Sequence, residues 1–287
     1  MTLAGKAAVV TGGASGIGLG IARALVEKDC RVMLADIDGS RLDAAAQTLR
    51  DAGGTAETAI CDVSDHAAVE ALADAAWATF GSVQLVFNNA GVMSTSPIID
   101  ADPAEVDWMI DINVKGVWNG CSVFGKRFRD SGEDCVIGIT ASEHALGVPH
   151  LGGGIYTGTK HALLGMADVL RQEVPDNIKV SLVFPGIVQT ELYDAQRSSP
   201  AGRAPEKVRA FGQRAMSFGM DPLYIGRRVV AGAEDGEFLV MTHPHVVAFA
   251  ETRWKEVEAA FARAPEVEDP AQYSVERVMQ KLRDGSD

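Results

Sequence analysis

The chain of 287 residues has little of several things that would define its function quickly. Its four cysteines, Cys30, Cys61, Cys121 and Cys135, are scattered and form no CxxC pair. They read as reduced, mostly buried thiols of a cytoplasmic protein. Six histidines include no HExxH, and His243 and His245 flank a proline, which reads as a loop rather than a metal site. No metal is expected. Basic residues number 26 against 39 acidic ones, a formal net charge of -13. Such a surface repels nucleic acid and anionic membrane, so neither is an expected partner. No apolar run approaches the roughly 20 residues of a membrane span. The opening MTLAGKAAVV enters a strand pattern directly and lacks the regions of a signal peptide. Repeats and low-complexity tracts are missing too.

What remains is an alternation. Strand-length apolar runs occur at Ala7-Thr11, Arg31-Asp36, Glu57-Val63, Leu85-Asn88, Cys135-Thr140, Val180-Phe184 and Phe238-Met241. Helical patterns separate them: Gly16-Lys28, Arg41-Ala52, Ala67-Phe80, Ala104-Arg129, Tyr156-Val174 and Tyr224-Glu234. Several strands are apolar on successive residues, as buried parallel strands are. The alternation predicts an α/β fold, a doubly wound, Rossmann-type parallel sheet flanked by helices. No linker splits the chain. The expected organisation is one domain, 1-287, with a core at 1-241 and a C-terminal helical extension at 242-287. Within the core, Thr190 to Asp221 is broken by Ser198-Ser199-Pro200-Ala201-Gly202 and reads as a long loop, either a lid over a ligand or a surface insertion. The extension carries helix patterns at Val246-Arg263 and Val275-Leu282 and is compatible with an oligomer arm, a pocket wall or a solvated appendage.

The stretch TGGASGIGLG puts five glycines into ten residues where the first strand turns into the first helix. Gly12, Gly16 and Gly18 give the spacing G-x-x-x-G-x-G. A helix N-terminus offers unpaired N–H groups and a partial positive charge, which attract a pyrophosphate. Glycines let the backbone approach that group closely. The cofactor-contacting set here is Gly12, Ser15, Gly16, Ile17 and Gly18. Asp36 ends the second strand, 18 residues after Gly18, and is followed by Ile37. A carboxylate there accepts hydrogen bonds from both adenosine ribose hydroxyls and repels a 2′-phosphate. No Arg or Lys lies at positions 13–15 or directly after Asp36, which favours NAD over NADP.

Tyr156 and Lys160, in YTGTK, are four residues apart and so share one helical face. Tyrosine is a poor base at neutral pH, but a nearby ammonium lowers its pKa. Such a tyrosine can take a proton from an alcohol as a hydride leaves. Ser142 follows the strand Cys135-Thr140, where its hydroxyl can hold a substrate oxygen or cap a turn. Asn113 falls inside a helical pattern that disfavours it, unless its side chain finds a partner.

The set TGGASGIG, Asp62-Val63, NNAG (Asn88-Gly91), Asn113, Ser142, YTGTK and Pro185-Gly186 occurs in this order and resembles the short-chain dehydrogenase/reductase family from about Leu3 to Met241. The resemblance implies a seven-stranded parallel sheet and a homo-oligomer, tetramer or dimer. It makes Tyr156 the general acid/base. It gives Lys160 the nicotinamide ribose and the tyrosine pKa, Ser142 the substrate oxygen, and Asn113 a water in a proton relay. It implies adenine contacts for Asp62 and Val63, and cofactor-lining roles for Asn89, Ala90 and Gly91. It implies contacts to the nicotinamide carboxamide for Ile187 and Thr190, after Pro185 and Gly186, which are also counted as cofactor-binding. One departure is that Ser142 and Tyr156 stand 14 apart, one more than the commonest family spacing, with Leu151-Gly152-Gly153-Gly154 able to absorb the extra residue.

The expected reaction is NAD-dependent interconversion of a secondary alcohol and a ketone. The expected pocket residues, beside Ser142 and Tyr156, are Met93, Glu143, His144, His150 and Tyr193. Glu143 and His144 can bind a substrate hydroxyl or carbonyl, or point into a subunit contact or solvent. The stretch TASEHALGVPH and the tail resemble the family branch that oxidises secondary alcohols on aromatic or alicyclic compounds, benzylic alcohols among them. The alternatives are a steroid or dihydrodiol dehydrogenase of the same family and a non-catalytic dinucleotide-binding regulator, though a regulator of this type usually lacks the tyrosine or the lysine. A sugar-nucleotide epimerase or dehydratase would carry a larger C-terminal part.

Overall fold

The computed structural model describes residues 1–147, 153–193, 199, 200, 202 and 206–284. Seven strands form one sheet: β1 (Ala7–Thr11), β2 (Arg31–Asp36), β3 (Thr55–Ile60), β4 (Leu85–Asn88), β5 (Cys135–Thr140), β6 (Ile178–Phe184) and β7 (Leu239–Met241). Their order is β3-β2-β1-β4-β5-β6-β7, and every pairing is parallel. Every residue of β1 is buried. Alternate side chains along it enter opposite layers, because a strand's side chains alternate in direction. Val9 belongs to the apolar layer of Phe124, Phe128 and Ile137, and Val10 to that of Leu25, Leu34 and Val229.

Helices cover both faces. α1 (Gly16–Val26), α2 (Gly39–Asp51) and α8 (Pro222–Asp235) supply one apolar layer; α3 (His66–Phe80), α5 (Gly116–Ser131) and α6 (Gly154–Glu173) supply the other. This is the doubly wound arrangement that the alternation predicts. α1 and α8 touch backbone to backbone: a Cβ on Gly20 would lie 2.1 Å from the Pro222 carbonyl oxygen, and one on Gly226 would lie 2.1 Å from that of Gly20.

Two expectations on local structure are corrected. The single helix expected over Ala104-Arg129 is divided into α4 (Pro103–Ile110), a π-helical turn at Asp111–Lys115, and α5. The stretch read as a loop, Thr190 to Asp221, contains α7 (Glu206–Met216). Its only buried residue is Gly212, where a Cβ would come 2.3 Å from the Tyr193 ring.

Met1–Phe249 form one compact unit and Ala250–Asp287 a second. α9 (Val247–Phe261) begins in the first unit, and the second also holds a 3₁₀ turn at Pro270–Tyr273 and α10 (Val275–Asp284). None of the helices among the described residues is long and apolar enough to cross a membrane.

Candidate active site

Chain order reverses between β1 and β4, and ligands of open parallel sheets bind at such a point, beyond the strands' carboxyl ends. A cleft of about 790 Å³ opens there, within the range of small-molecule sites. It runs from Asp36 at one end to Ser142, Tyr156 and Lys160 at the other.

The glycine-rich turn lines its floor with Gly12, Ser15, Gly16 and Ile17. α2, α3, α4 and α8 are each capped by an aspartate side chain, Asp38, Asp65, Asp102 and Asp221 respectively. Ser15, at the cap of α1, makes no such side-chain bond. The first N–H groups of α1 thus face the cleft without a carboxylate, as an anion site requires. Gly18 does not line the cleft; it packs beneath it, where a Cβ would come 2.1 Å from the Gly12 carbonyl oxygen. Thr11 Oγ1 accepts from the amides of Asn89 and Ala90 at 3.0 and 3.1 Å. Asn89 Nδ2 donates to the Thr11 carbonyl at 3.1 Å, and its Oδ1 accepts from Thr140 Oγ1 at 3.2 Å. These bonds tie together the ends of β1, β4 and β5.

At the far end stand Asp36, Ile37, Asp62 and Val63. The Asp36 carboxylate accepts from the amides of Ala14 at 3.3 Å and Asp38 at 3.2 Å, which fixes it at the rim. Arg41, unforeseen from the sequence, also lines the cleft and is held in an ion pair by Glu191. Glu191 follows Thr190, itself a lining residue. Together the backbone amides, the glycine floor and the carboxylate at the rim fit a dinucleotide.

Tyr156 and Lys160 lie on α6, both buried. Lys160 Nζ donates to the Thr140 carbonyl at 2.9 Å and sits 5.6 Å from the centre of the Tyr156 ring. Burial pushes the Lys160 ammonium down to about 8. Burial pushes the Tyr156 phenol up to about 12, against the opposing hydrogen bond with Ser142. Ser142 is buried and begins the 3₁₀ turn Glu143–Ala145, where its hydroxyl accepts from the His144 amide at 3.3 Å.

Asn113 lies in the π-helical turn, fully buried. Its Oδ1 accepts from the Val92 amide at 2.8 Å, and its Nδ2 donates to the Val92 carbonyl at 2.8 Å and to Thr159 Oγ1 at 3.1 Å. The asparagine thus replaces a neighbouring strand for Val92 and ties α6 to the segment after β4. A Cβ on Gly91 would lie 3.3 Å from Asn113 Oδ1 and 3.6 Å from Lys160 Nζ, so both side chains converge on that glycine.

The expected substrate residues divide. Met93 and Tyr193 belong to a small apolar cluster with Tyr156, Val92 and Met109, of which Tyr156 and Val92 line the cleft. His144 is buried, bonded through Nδ1 to Thr157 Oγ1 at 2.8 Å, with its ring edge-on to Tyr156 at 5.2 Å. Glu143 is buried, and its Oε2 lies 3.3 Å from His245 Nε2 without hydrogen-bond geometry. These four, like Asn113 and the half-exposed Ile187, stand outside the cleft lining, whereas Asn89, Ala90, Gly91, Pro185 and Gly186 belong to it. His150 lies outside the described residues. Trp108, Asp111, Ile112 and Met216 line the cleft without having been foreseen. The first three follow from the π turn, and Met216 from α7, neither of which the sequence pattern resolves. Among the described residues no group of three or more His, Cys, Asp or Glu side chains is arranged to hold a metal ion.

The model of the short chain dehydrogenase family matches residues 6–201. The chain belongs to that family. It is an oxidoreductase of a family that binds nicotinamide dinucleotides. A D-threitol dehydrogenase of Mycolicibacterium smegmatis is 32% identical over 215 residues, 74% of this chain and 82% of that protein. A C alpha-dehydrogenase of Sphingobium is 28% identical over 294 aligned positions, 97% of this chain and 94% of that one. A short-chain dehydrogenase/reductase from Burkholderia phymatum, solved in complex with NAD, superposes with a TM-score of 0.86 at 30% identity, covering 93% of this chain and 99% of that one.

Proposed function

We propose that this short-chain dehydrogenase interconverts a secondary alcohol and a ketone with NAD, on an aromatic or alicyclic substrate. The observation that carries the reading is that Ser142, Tyr156 and Lys160 line the same cleft as the glycine turn and Asp36. Bound NAD supplies the hydride acceptor and a positive charge. The rest is done by side chains of this chain. Ser142 holds the substrate oxygen against the Tyr156 hydroxyl. Tyr156 takes the alcohol proton in one direction and returns it in the other. Its phenol is pushed up to about 12 by burial, so it needs cationic help to act as a base near neutrality. Lys160 supplies that help and holds the nicotinamide ribose, while Asn113 keeps a relay water beside Lys160.

Asp36 accepts from the adenosine ribose and disfavours a 2′-phosphate. The NAD complex of the Burkholderia relative supports this choice. The aromatic or alicyclic preference draws on the apolar side chains that line the cleft beside Tyr156, namely Val92, Trp108, Ile112 and Leu192. The test is turnover of benzylic, alicyclic, steroidal and short aliphatic alcohols with NAD and with NADP. Turnover of benzylic or alicyclic alcohols with NAD is expected. Turnover with NADP alone overturns the Asp36 argument, and NAD binding with no turnover in any class favours a regulator.

A further inference from the structure

The turn after β6, Pro185-Gly186-Ile187, borders the catalytic end of the cleft. Its shape is set from the side by a histidine that no catalytic argument has used. His243 follows β7 and is buried. The Gly186 amide donates to His243 Nδ1 at 3.1 Å. A ring nitrogen that accepts carries no proton. His243 Nε2 lies 3.2 Å from the Ile187 carbonyl oxygen, which can only accept, so Nε2 carries the proton. Two backbone groups that cannot exchange roles thus fix one neutral tautomer. Thr242 Oγ1 lies 2.8 Å from Nδ1 and 3.0 Å from the Phe184 carbonyl oxygen, and its one hydroxyl proton serves one of the two: Nδ1 of the neutral ring, or the carbonyl once Nδ1 carries a proton. The Ile187 carbonyl also accepts from the Met220 amide at 3.0 Å. The fit leaves no space at the turn: a Cβ on Gly186 would lie 2.9 Å from Glu143 Oε2 and 3.0 Å from the His243 ring.

We propose that His243 is a positioning residue whose neutral imidazole clips the Gly186 N–H and the Ile187 carbonyl, holds the turn in its cofactor-accepting shape, and releases it when the ring is protonated. The proposal rests on the reading that this turn holds the nicotinamide end. A protonated ring carries a second proton at Nδ1, which turns to Thr242 Oγ1 and leaves the Gly186 N–H without its acceptor, so the turn is released. The groups facing the ring are few. Glu143, from the turn after β5, favours the charged ring. His245, on the same segment with its ring 5.7 Å away, opposes it. The turn itself carries nothing titratable. Burial is the largest influence and holds the His243 pKa below its ordinary value.

Three substitutions separate the parts of the clip. His243→Asn keeps an acceptor at the Nδ1 position, His243→Gln keeps a donor at the Nε2 position, and His243→Phe keeps a ring with neither. Amide exchange of the segment around Gly186 is followed by mass spectrometry without nucleotide, and NADH affinity is titrated from about pH 5 to pH 8. His243→Phe is expected to speed exchange at Gly186 and to weaken NADH binding about 10-fold, raising KM for NAD with kcat little changed. His243→Asn is expected to restore exchange protection and most of the affinity while abolishing the acid loss of affinity. Parental exchange and affinity in His243→Phe overturn the proposal. So does an acid loss that persists in His243→Asn, which also decides the matter if the Phe variant does not fold. If no nicotinamide nucleotide binds the parent, yet exchange at Gly186 quickens in His243→Phe and is restored in His243→Asn, the clip stands and the functional reading fails.

Discussion

Lys160 Nζ lies 5.6 Å from the centre of the Tyr156 ring while donating to the Thr140 carbonyl at 2.9 Å. The ammonium is thereby anchored at the end of β5, and its charge is held over the aromatic face on α6. Lys160→Met removes the charge and keeps much of the length. The expected result is a loss of alcohol oxidation of about 10²-fold or more, with the acidic limb of its pH–rate profile moved to higher pH. An unmoved acidic limb would mean that Lys160 does not set the tyrosine's proton affinity.

Asn113 carries three buried hydrogen bonds, two of them to Val92. Asn113→Leu leaves a buried N–H and a buried carbonyl without partners. Each orphaned group costs about 1–3 kcal/mol, so stability in denaturant titration is expected to fall by about 2–6 kcal/mol. A variant as stable as the parent would show that water or a rearranged π turn satisfies Val92 instead.

Glu191 holds Arg41 in an ion pair at the cleft wall, on the Asp36 side. Glu191→Gln frees the guanidinium to meet a 2′-phosphate. The ratio of kcat/KM for NADP over NAD is expected to rise about 10-fold, roughly 1.4 kcal/mol, and Asp36→Ala is expected to raise it further. If neither substitution changes the ratio, cofactor choice is made elsewhere.

Burial raises the thiols of Cys30, Cys61 and Cys135 to about 11 and that of Cys121 to about 12, from an ordinary 9.0. In the unfolded chain they lose their protons near 9.0, while in the fold they keep them. The folded state therefore binds more protons above that pH, and stability must fall as pH rises. The thiols' contribution is fully present below pH 9.0 and is lost as pH climbs through about 11 to 12. Burial of Lys160, which takes its pKa from 10.5 to about 8, acts in the opposite sense between those values. Four thiols outweigh one ammonium, so thermal melting is expected to decline from about pH 9 upward. Cys121→Ala should flatten that decline, and an equal slope in the variant would rule the thiol out as a cause.

The fold was legible wherever burial repeats along the chain. β5 has the same bounds by pattern and by structure because all its residues are buried. β3 ends at Ile60, three residues earlier than expected, because this edge strand is largely exposed and its pattern carries no sharp stop. The π turn around Asn113 was not legible: its helix-breaking residue is satisfied by Val92 and Thr159, partners distant in sequence. α7 was hidden because it is polar and buries only Gly212, so prolines and small residues nearby dominated the reading. In the site, most residues fixed by a motif line the cleft, with Gly18, Asn113 and Ile187 outside it, whereas pocket residues assigned by chain proximity, such as Met93, Glu143 and His144, stand outside its lining. Arg41 was missed because nothing local predicts that a helix-surface cation pairs with a residue 150 positions away.

The central claim is that Tyr156 moves the substrate proton. The most direct measurement is turnover of a benzylic secondary alcohol with NAD by Tyr156→Phe, alongside NADH titration of the same variant. The account predicts that turnover falls by about 10²–10⁴-fold while NADH affinity and the melting temperature stay near parental values. Turnover at the parental rate would contradict it.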